Sequence, residues 1–321
     1  MAQPSVGHPA EHDHGGGYRH EVFVYRTVDE YLDFLTTVVR DGVAAGEPVL
    51  VAVPADRLAA LRAALPGTED AVRWADMSEV GDNPARILAL WRDFLDGTGG
   101  SPCRGIGEPV HPGRDADQLE ECLRHERLLN LAFDGHPFLL ICPYDASTLA
   151  DAVLDDARAA HPWVHEASRS GPSSVHRPGA PVDGLFDGPL PPPGGPVSDQ
   201  RFEAADLGRL REFVGREADR AGLGPGPAAD LVVAVNEIAT NVVTHGGAGG
   251  TARCWRDGDW FVCEVEGPGS ITDPFAGRIR PDPRRPGGRG LWLANQLCDL
   301  VQIRNTAIGC VVRLRSRVRT V

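Results

Sequence analysis

The sequence predicts an α/β fold in its N-terminal half, a mainly parallel sheet with covering helices, joined to a C-terminal α+β sandwich. Three observations carry this. Residues 20–166 alternate short apolar runs with helical patterns, the arrangement of a parallel sheet. Residues 167–198 are dominated by Pro, Gly and Ser and read as a linker. Residues 199–321 take another order: strand, two helices, two strands, a loop, a helix and two strands. A chain of 321 residues has room for two domains of ordinary size.

Element by element, residues 1–19 read as a polar, disordered tail whose histidines are expected to bind metal weakly at most. The strands of the first half are "HEVFVY", "PVLVAVP", "AVRWADM", "CRGIGEPV" and "PFLLICPY". Between them lie the helical patterns "TVDEYLDFLTTVVRDGVAAG", "ADRLAALRAAL", "NPARILALWRDFLDG" and "DADQLEECLRHERLLNLAFDG", and "STLADAVLDDARAAHP" comes after the last strand. In the second half a short strand near Phe202 precedes the helix "AADLGRLREFVGREADRAG" and a further helix over 226–245. Strands "TARCWR" and "WFVCEVEG" flank a tight "RDGD" turn. A Gly-, Pro- and Arg-rich loop (267–289), the helix "GLWLANQLCD" and strands "LVQIRNT" and "CVVRLRSRV" complete the unit.

Composition excludes several functions. The net charge is −13, which argues against direct nucleic-acid binding. The alternating arginines of "RLRSRVRT" read as a half-exposed strand. There is no lysine; all 32 basic residues are arginine. That removes a phosphate-loop lysine, a Schiff-base lysine and the kinase strand lysine. Seven cysteines, without a C-x-x-C, sit mostly in apolar runs and read as reduced, buried thiols. No run approaches the ~18 apolar residues of a membrane span. No signal-peptide pattern opens the chain, so the expectation is a cytoplasmic protein away from membranes.

The segment "NEIATNVVTHGG" begins at Asn236. Glu237, Asn241 and His245 are spaced by four, which stacks them on one helix face. Their neighbours have the composition of a buried helix, and Gly246-Gly247 stops it. A lysine-free ATP site needs an oxygen ligand for Mg²⁺, a carboxylate near the nucleophile and backbone N–H groups at a helix start. Asn241, Glu237 and the glycines 287, 288 and 290 of "PGGRGLWLANQL" supply these, with Arg289 adding charge. The loop 267–289 is suited to closing over a ligand. Alone, the Glu–Asn spacing equally describes a satisfied buried polar pair. Paired with "GRGLW" and the element order, it points to a nucleotide site.

On these motifs residues 199–321 resemble the GHKL ATPase superfamily, in its anti-sigma-factor serine kinase branch. "NEIATNVVTHG" resembles the N-box, and "GRGLWLANQLCDLVQIR" resembles the G-x-G-L box with the helix and strand after it. The resemblance implies a Bergerat-type sandwich that binds ATP and Mg²⁺. It makes Asn241 the Mg²⁺ ligand and Glu237 the general base. It places nucleotide contacts at His245, Glu266, Gly267, Gly269, Asp273, Gly288, Arg289, Gly290 and Leu291. Two positions depart from the family. Its adenine-reading Asp falls on Gly267, or on Glu266 with a one-residue deletion. Cys310 stands where a Gly-Thr hydroxyl is usual.

Residues 20–166 resemble the DcmR-like sensory (MEDS) domain over "HEVFVYRTVDEYLDFLTTVVRDGVAAGEPVLVAVP", "WADMSEVGDNPARI", "GIGEPVHPGR", "ECLRHERLLNLAF" and "CPYD". "GVAAGEPVLVAVP" also resembles RecA-like ATPases, yet G-x-x-x-x-G-K-[ST] is missing, so no ATP hydrolysis is expected here. A sensory pocket for a small-molecule signal is expected from His20, Glu108, His111, His125, Cys142, Tyr144 and Asp145, several of them at strand ends. Cys122, His125 and Cys142 suit a metal or haem, though buried structural roles are preferred. Glu121, His125 and Glu126 also read as a helix–sheet anchor.

The pairing of the two domains is typical of actinobacterial anti-sigma regulators. The resemblance leaves three readings. One is a kinase that holds a sigma factor and phosphorylates a serine of an anti-anti-sigma (STAS) partner, as a homodimer. The second is a partner-switching binding protein with a degenerate nucleotide site. The third, a sensor histidine kinase, lacks a phosphoacceptor helix, because the linker is rich in Pro and Gly.

Overall fold

The computed structural model describes residues 17–176, 186–247, 249–282, 284 and 287–319. Most of the expected tail (1–16) and part of the expected linker (177–185) lie outside these residues. The chain divides into two compact units, Met1–Ala180 and Pro181–Val321.

The first unit runs β1 (Arg19–Tyr25), α1 (Val28–Ala44), β2 (Val49–Val53), α2 (Ala55–Ala64), β3 (Val72–Asp76), a short α3 (Met77–Val80) and α4 (Ile87–Gly97). Then come β4 (Cys103–Gly107), α5 (Ala116–Ala132), β5 (Phe138–Asp145), α6 (Asp151–Ala160), β6 (Trp163–Glu166) and β7 (Arg169–Pro172). The sheet order is β3-β2-β4-β5-β1-β6-β7. All neighbouring pairs are parallel except β6–β7. β2 and β4 are buried at every residue, as a sheet covered on both faces requires. β4 is glycine-rich because Trp91 of α4 lies across it. A Cβ on Gly105 or Gly107 would stand 2.8 or 2.7 Å from the indole. Asp115 and Gln118 form a capping box that starts α5.

The hairpin β6–β7 is not foreseen by the sequence. Its strands are four residues each, and the turn uses Ala167 at φ 50, a left-handed conformation without the usual glycine or asparagine. Residues 169–172, expected in the linker, are thus paired with β6.

The second unit runs β8 (Ser198–Phe202), α7 (Leu207–Ala221), α8 (Pro225–His245), β9 (Gly250–Asp257), β10 (Trp260–Gly267), α9 (Arg289–Leu297), β11 (Leu300–Thr306) and β12 (Gly309–Arg317). These strands form one antiparallel sheet, β11-β12-β10-β9-β8. α8 buries Leu231, Ala234, Val235, Ile238 and Ala239. The arginine alternation of β12 departs from expectation: Arg313 and Arg315 are buried rather than half-exposed. Arg313 donates to Glu264 Oε2 from Nε (3.0 Å) and Nη2 (2.7 Å) and lies 5.0 Å from the Trp255 ring centre. Arg315 lies 4.7 Å from that of Trp260. Carboxylate pairing and aromatic stacking let guanidinium groups occupy buried positions.

All seven cysteines are free thiols; six are buried and Cys310 is half-buried. Among the described residues no helix is long and apolar enough to cross a membrane.

Candidate functional site

The second unit holds a cavity of about 720 Å³ between the C-terminal half of α8, the end of β10, the segment 268–282 and the start of α9. Of the residues expected to touch nucleotide, Asn241, His245, Gly267, Gly269, Asp273, Gly288, Gly290 and Leu291 line it. Glu237 lies just behind this wall. A Cβ on Gly290 would stand 2.9 Å from Asn241 Nδ2 and 3.5 Å from Glu237 Oε2. Glycine at 290 therefore lets α9 begin directly against the acid and the amide of α8.

α9 opens with Gly287 (φ 87) and Gly288 (φ 73), both left-handed. Gly288, its N-cap residue, has no side chain to cap the first turn. A glycine-led helix start at a cavity wall is the arrangement that binds phosphate. Arg289 is exposed at the same helix start. With one amide oxygen from Asn241, the site suits Mg²⁺, which keeps several waters and takes few protein ligands.

Two expected residues stand differently. Glu266 is turned to the opposite face of β10, where it accepts from Arg253 Nη2 at 2.6 Å. Side chains alternate along a strand, so the cavity receives Val265 and Gly267 instead. Gly267 is also confined: a Cβ there would stand 2.3 Å from Val242 Cγ1. The valine of α8 thus fills the space that a side chain at 267 would need. The loop expected to close over the ligand is tied down along its first part. Asn305 Nδ2 donates to Ile271 O (2.9 Å) while its Oδ1 accepts from Ile271 N (3.0 Å). Asn295 Nδ2 donates to Gly277 O at 2.9 Å. Cys310 lines the cavity, its thiol pushed up to about 11 by burial.

In the first unit most of the expected sensory residues divide between two clusters. At the carboxyl ends of the strands, Glu108 is buried and accepts from Tyr25 Oη (2.9 Å) and Tyr31 Oη (3.0 Å). Arg57 bridges to Asp145 (3.1 Å) and lies over both tyrosine rings, 5.5 and 5.3 Å from their centres. Burial pushes Glu108 up to about 8, against the two phenol hydrogen bonds and Arg57. His111 is half-exposed and accepts from Gly113 N at 3.2 Å; burial and Arg114 lower it to about 4.

His20 and Cys142 belong elsewhere, with Glu126 and His161. Tyr144 joins them, its ring edge-on to His161 at 5.9 Å. Cys142 and Tyr144 share one face of β5 and Asp145 faces the other, which is why the expected pocket separates. His125 is fully buried on α5 and stands outside the His20 cluster, and Cys122 donates to Pro109 O at 3.3 Å. Among the described residues Cys122 and His125 are not part of the donor group that includes Cys142. Sequence reading missed Tyr25, Tyr31, Arg57 and His161. None carries a local motif, since the fold joins them from distant segments.

An antiparallel sheet under helices, with an acid and an amide on one long helix facing a glycine-led helix start, defines an ATPase fold of the Bergerat type. Residues 201–316 match the family model of the histidine kinase-like ATPase domain. Residues 19–162 match that of the MEDS (methanogen/methylotroph, DcmR sensory) domain. The chain therefore joins an N-terminal MEDS domain to a C-terminal histidine kinase-like ATPase domain. No curated protein matches it.

Both the packing at Gly267 and the burial of Glu108 have measurable consequences. Gly267→Asp alone destabilises the chain by about 1–3 kcal/mol in denaturant unfolding, the cost of overpacking. Adding Val242→Ala recovers part of that loss, and strict additivity of the two changes would refute the packing account. For Glu108, the folded chain holds the proton up to about pH 8, whereas the ordinary value is 4.5. Its contribution is full below pH 4.5 and is lost as pH rises toward 8. Unfolding free energy should fall across that window by up to about 1.4 kcal/mol per pH unit. Glu108→Gln should flatten the slope; an unchanged slope would remove Glu108 as its source.

Proposed function

We propose that this protein is a signal-responsive anti-sigma regulator of the cytoplasm, acting as a homodimer. It uses Mg-ATP to phosphorylate a serine of an anti-anti-sigma (STAS) partner, and holds a sigma factor in the alternative complex. The observation that carries the reading is the close approach of Gly290, at the start of α9, to Asn241 and Glu237 of α8 beside the cavity. Asn241 would hold Mg²⁺, which supplies charge neutralisation at the β- and γ-phosphates. The N–H groups opening α9 bind the phosphate oxygens. Glu237 accepts the serine hydroxyl proton as that oxygen bonds to the γ-phosphorus and ADP leaves. The carboxyl-end cluster of Glu108, Tyr25, Tyr31, Arg57 and Asp145 would take the small-molecule signal, its polar groups meeting where parallel sheets bind ligands.

The second reading, a partner-switching binder without phosphotransfer, is favoured by Gly267 and Val242, which leave no acid where adenine is read. A phosphotransfer assay with labelled ATP and a cognate STAS protein separates the two. The kinase reading expects transfer that drops at least about 10²-fold in Glu237→Gln, the range of positioned acid–base groups. It also expects weaker nucleotide binding in Asn241→Ala. Sigma binding without any label transfer would reject the kinase and leave the binder.

A further inference from the structure

At the amino-terminal end of β1, four side chains from four elements point their donor atoms at one another. They are His20 of β1, Cys142 of β5, Glu126 of α5 and His161, which directly succeeds α6. All are buried, and their donor atoms lie within 4.8 Å of one another. His20 Nε2 and His161 Nε2 stand 3.1 and 3.2 Å from the same Glu126 Oε2. Cys142 Sγ is 3.4 Å from His20 Nε2. A tetrahedral zinc bound by nitrogen, oxygen and sulfur has donor–donor edges of roughly 3.3–3.6 Å.

The surroundings orient each histidine for this task. Asn130 Nδ2 donates to Ala160 O at 2.8 Å, which turns Asn130 Oδ1 toward His20 Nδ1, 3.1 Å away. His161 Nδ1 faces Ala157 O at 2.7 Å. Both Nδ1 atoms therefore carry hydrogen, and both Nε2 atoms are directed inward, the arrangement in which histidine binds metal. Glu126 Oε1 has no hydrogen-bond partner among the described residues, although the side chain is 1 % exposed. Its ion-pair partners among them are the two histidines alone. A buried carboxylate with an unsatisfied oxygen is costly. A shared proton satisfies only some of these contacts, whereas a central cation satisfies all four.

We propose that His20, Glu126, Cys142 and His161 form a closed four-ligand site for a divalent transition cation of the zinc class. Two nitrogens, a carboxylate oxygen and a thiolate suit zinc's borderline character, and the two anionic ligands balance its charge. Four protein ligands leave no open position, so the ion is structural, tying β1 and β5 to α5 and α6. Asn130 is a positioning residue, acting through His20.

The test is metal analysis of the full chain, purified without an affinity tag, then chelator stripping and titration with Zn²⁺ or Co²⁺ under reducing conditions. The expected result is one zinc per chain. Co²⁺ should give a thiolate-to-cobalt charge-transfer band that is lost in Cys142→Ser. The N-terminal tail contains no cysteine, so its histidines by themselves cannot give that band. Asn130→Ala should weaken zinc about 10–100-fold. The wild-type cobalt spectrum needs no variant and decides even where a variant fails to fold, as checked by circular dichroism. Absence of the band in the folded wild type overturns the proposal, as does its persistence in folded Cys142→Ser. Either outcome assigns the cluster to proton-linked His–Glu pairing.

Discussion

The second unit depends on one close approach, the start of α9 against α8 at Gly290. Any side chain at 290 would press on Asn241 and Glu237 and separate the glycine-led helix start from the polar face of α8. Two further glycines allow the chain to enter α9 in left-handed conformations, and Asn295 then ties the preceding loop to α9 through Gly277. The chain has no lysine to bring to a phosphate. At a phosphate site, backbone N–H groups and arginine would serve instead, which makes the geometry of this helix start more consequential.

The same absence shapes the rest of the molecule. Buried carboxylates meet arginine, tyrosine or histidine: Glu264 meets Arg313, Glu108 meets two phenols, and Glu126 meets two imidazoles. Arginine tolerates burial because its planar head stacks on indole while its nitrogens reach a carboxylate. Glu108 and Glu126 serve separate parts of the first unit. One belongs to a cluster at the carboxyl ends of the strands, the other to a set of metal-type donors.

Both domains and the polar face of α8 were legible in the sequence, for different physical reasons. Parallel strands buried on both faces write themselves as apolar runs, and a helix face repeats every three to four residues. The glycines of "PGGRG" mark a helix start that needs left-handed backbone. What stayed hidden was set by tertiary contact. Strands β6 and β7 are too short for a period, and their turn has no glycine. The direction of Glu266 depends on strand register, and the filling of the space beside Gly267 depends on Val242 of another element. The grouping of His20 with His161 joins residues at opposite ends of the first unit, where local pattern carries no information.

The most direct test of the account is amide hydrogen exchange on the full chain, with and without Mg²⁺ and a non-hydrolysable ATP analogue. Binding as described should slow exchange in the first turn of α9 and in the segment from Gly269 to Gly277, and leave the MEDS sheet unchanged. Identical exchange of α9 in the two samples, at saturating analogue, would contradict the claim that this helix start is a phosphate cradle.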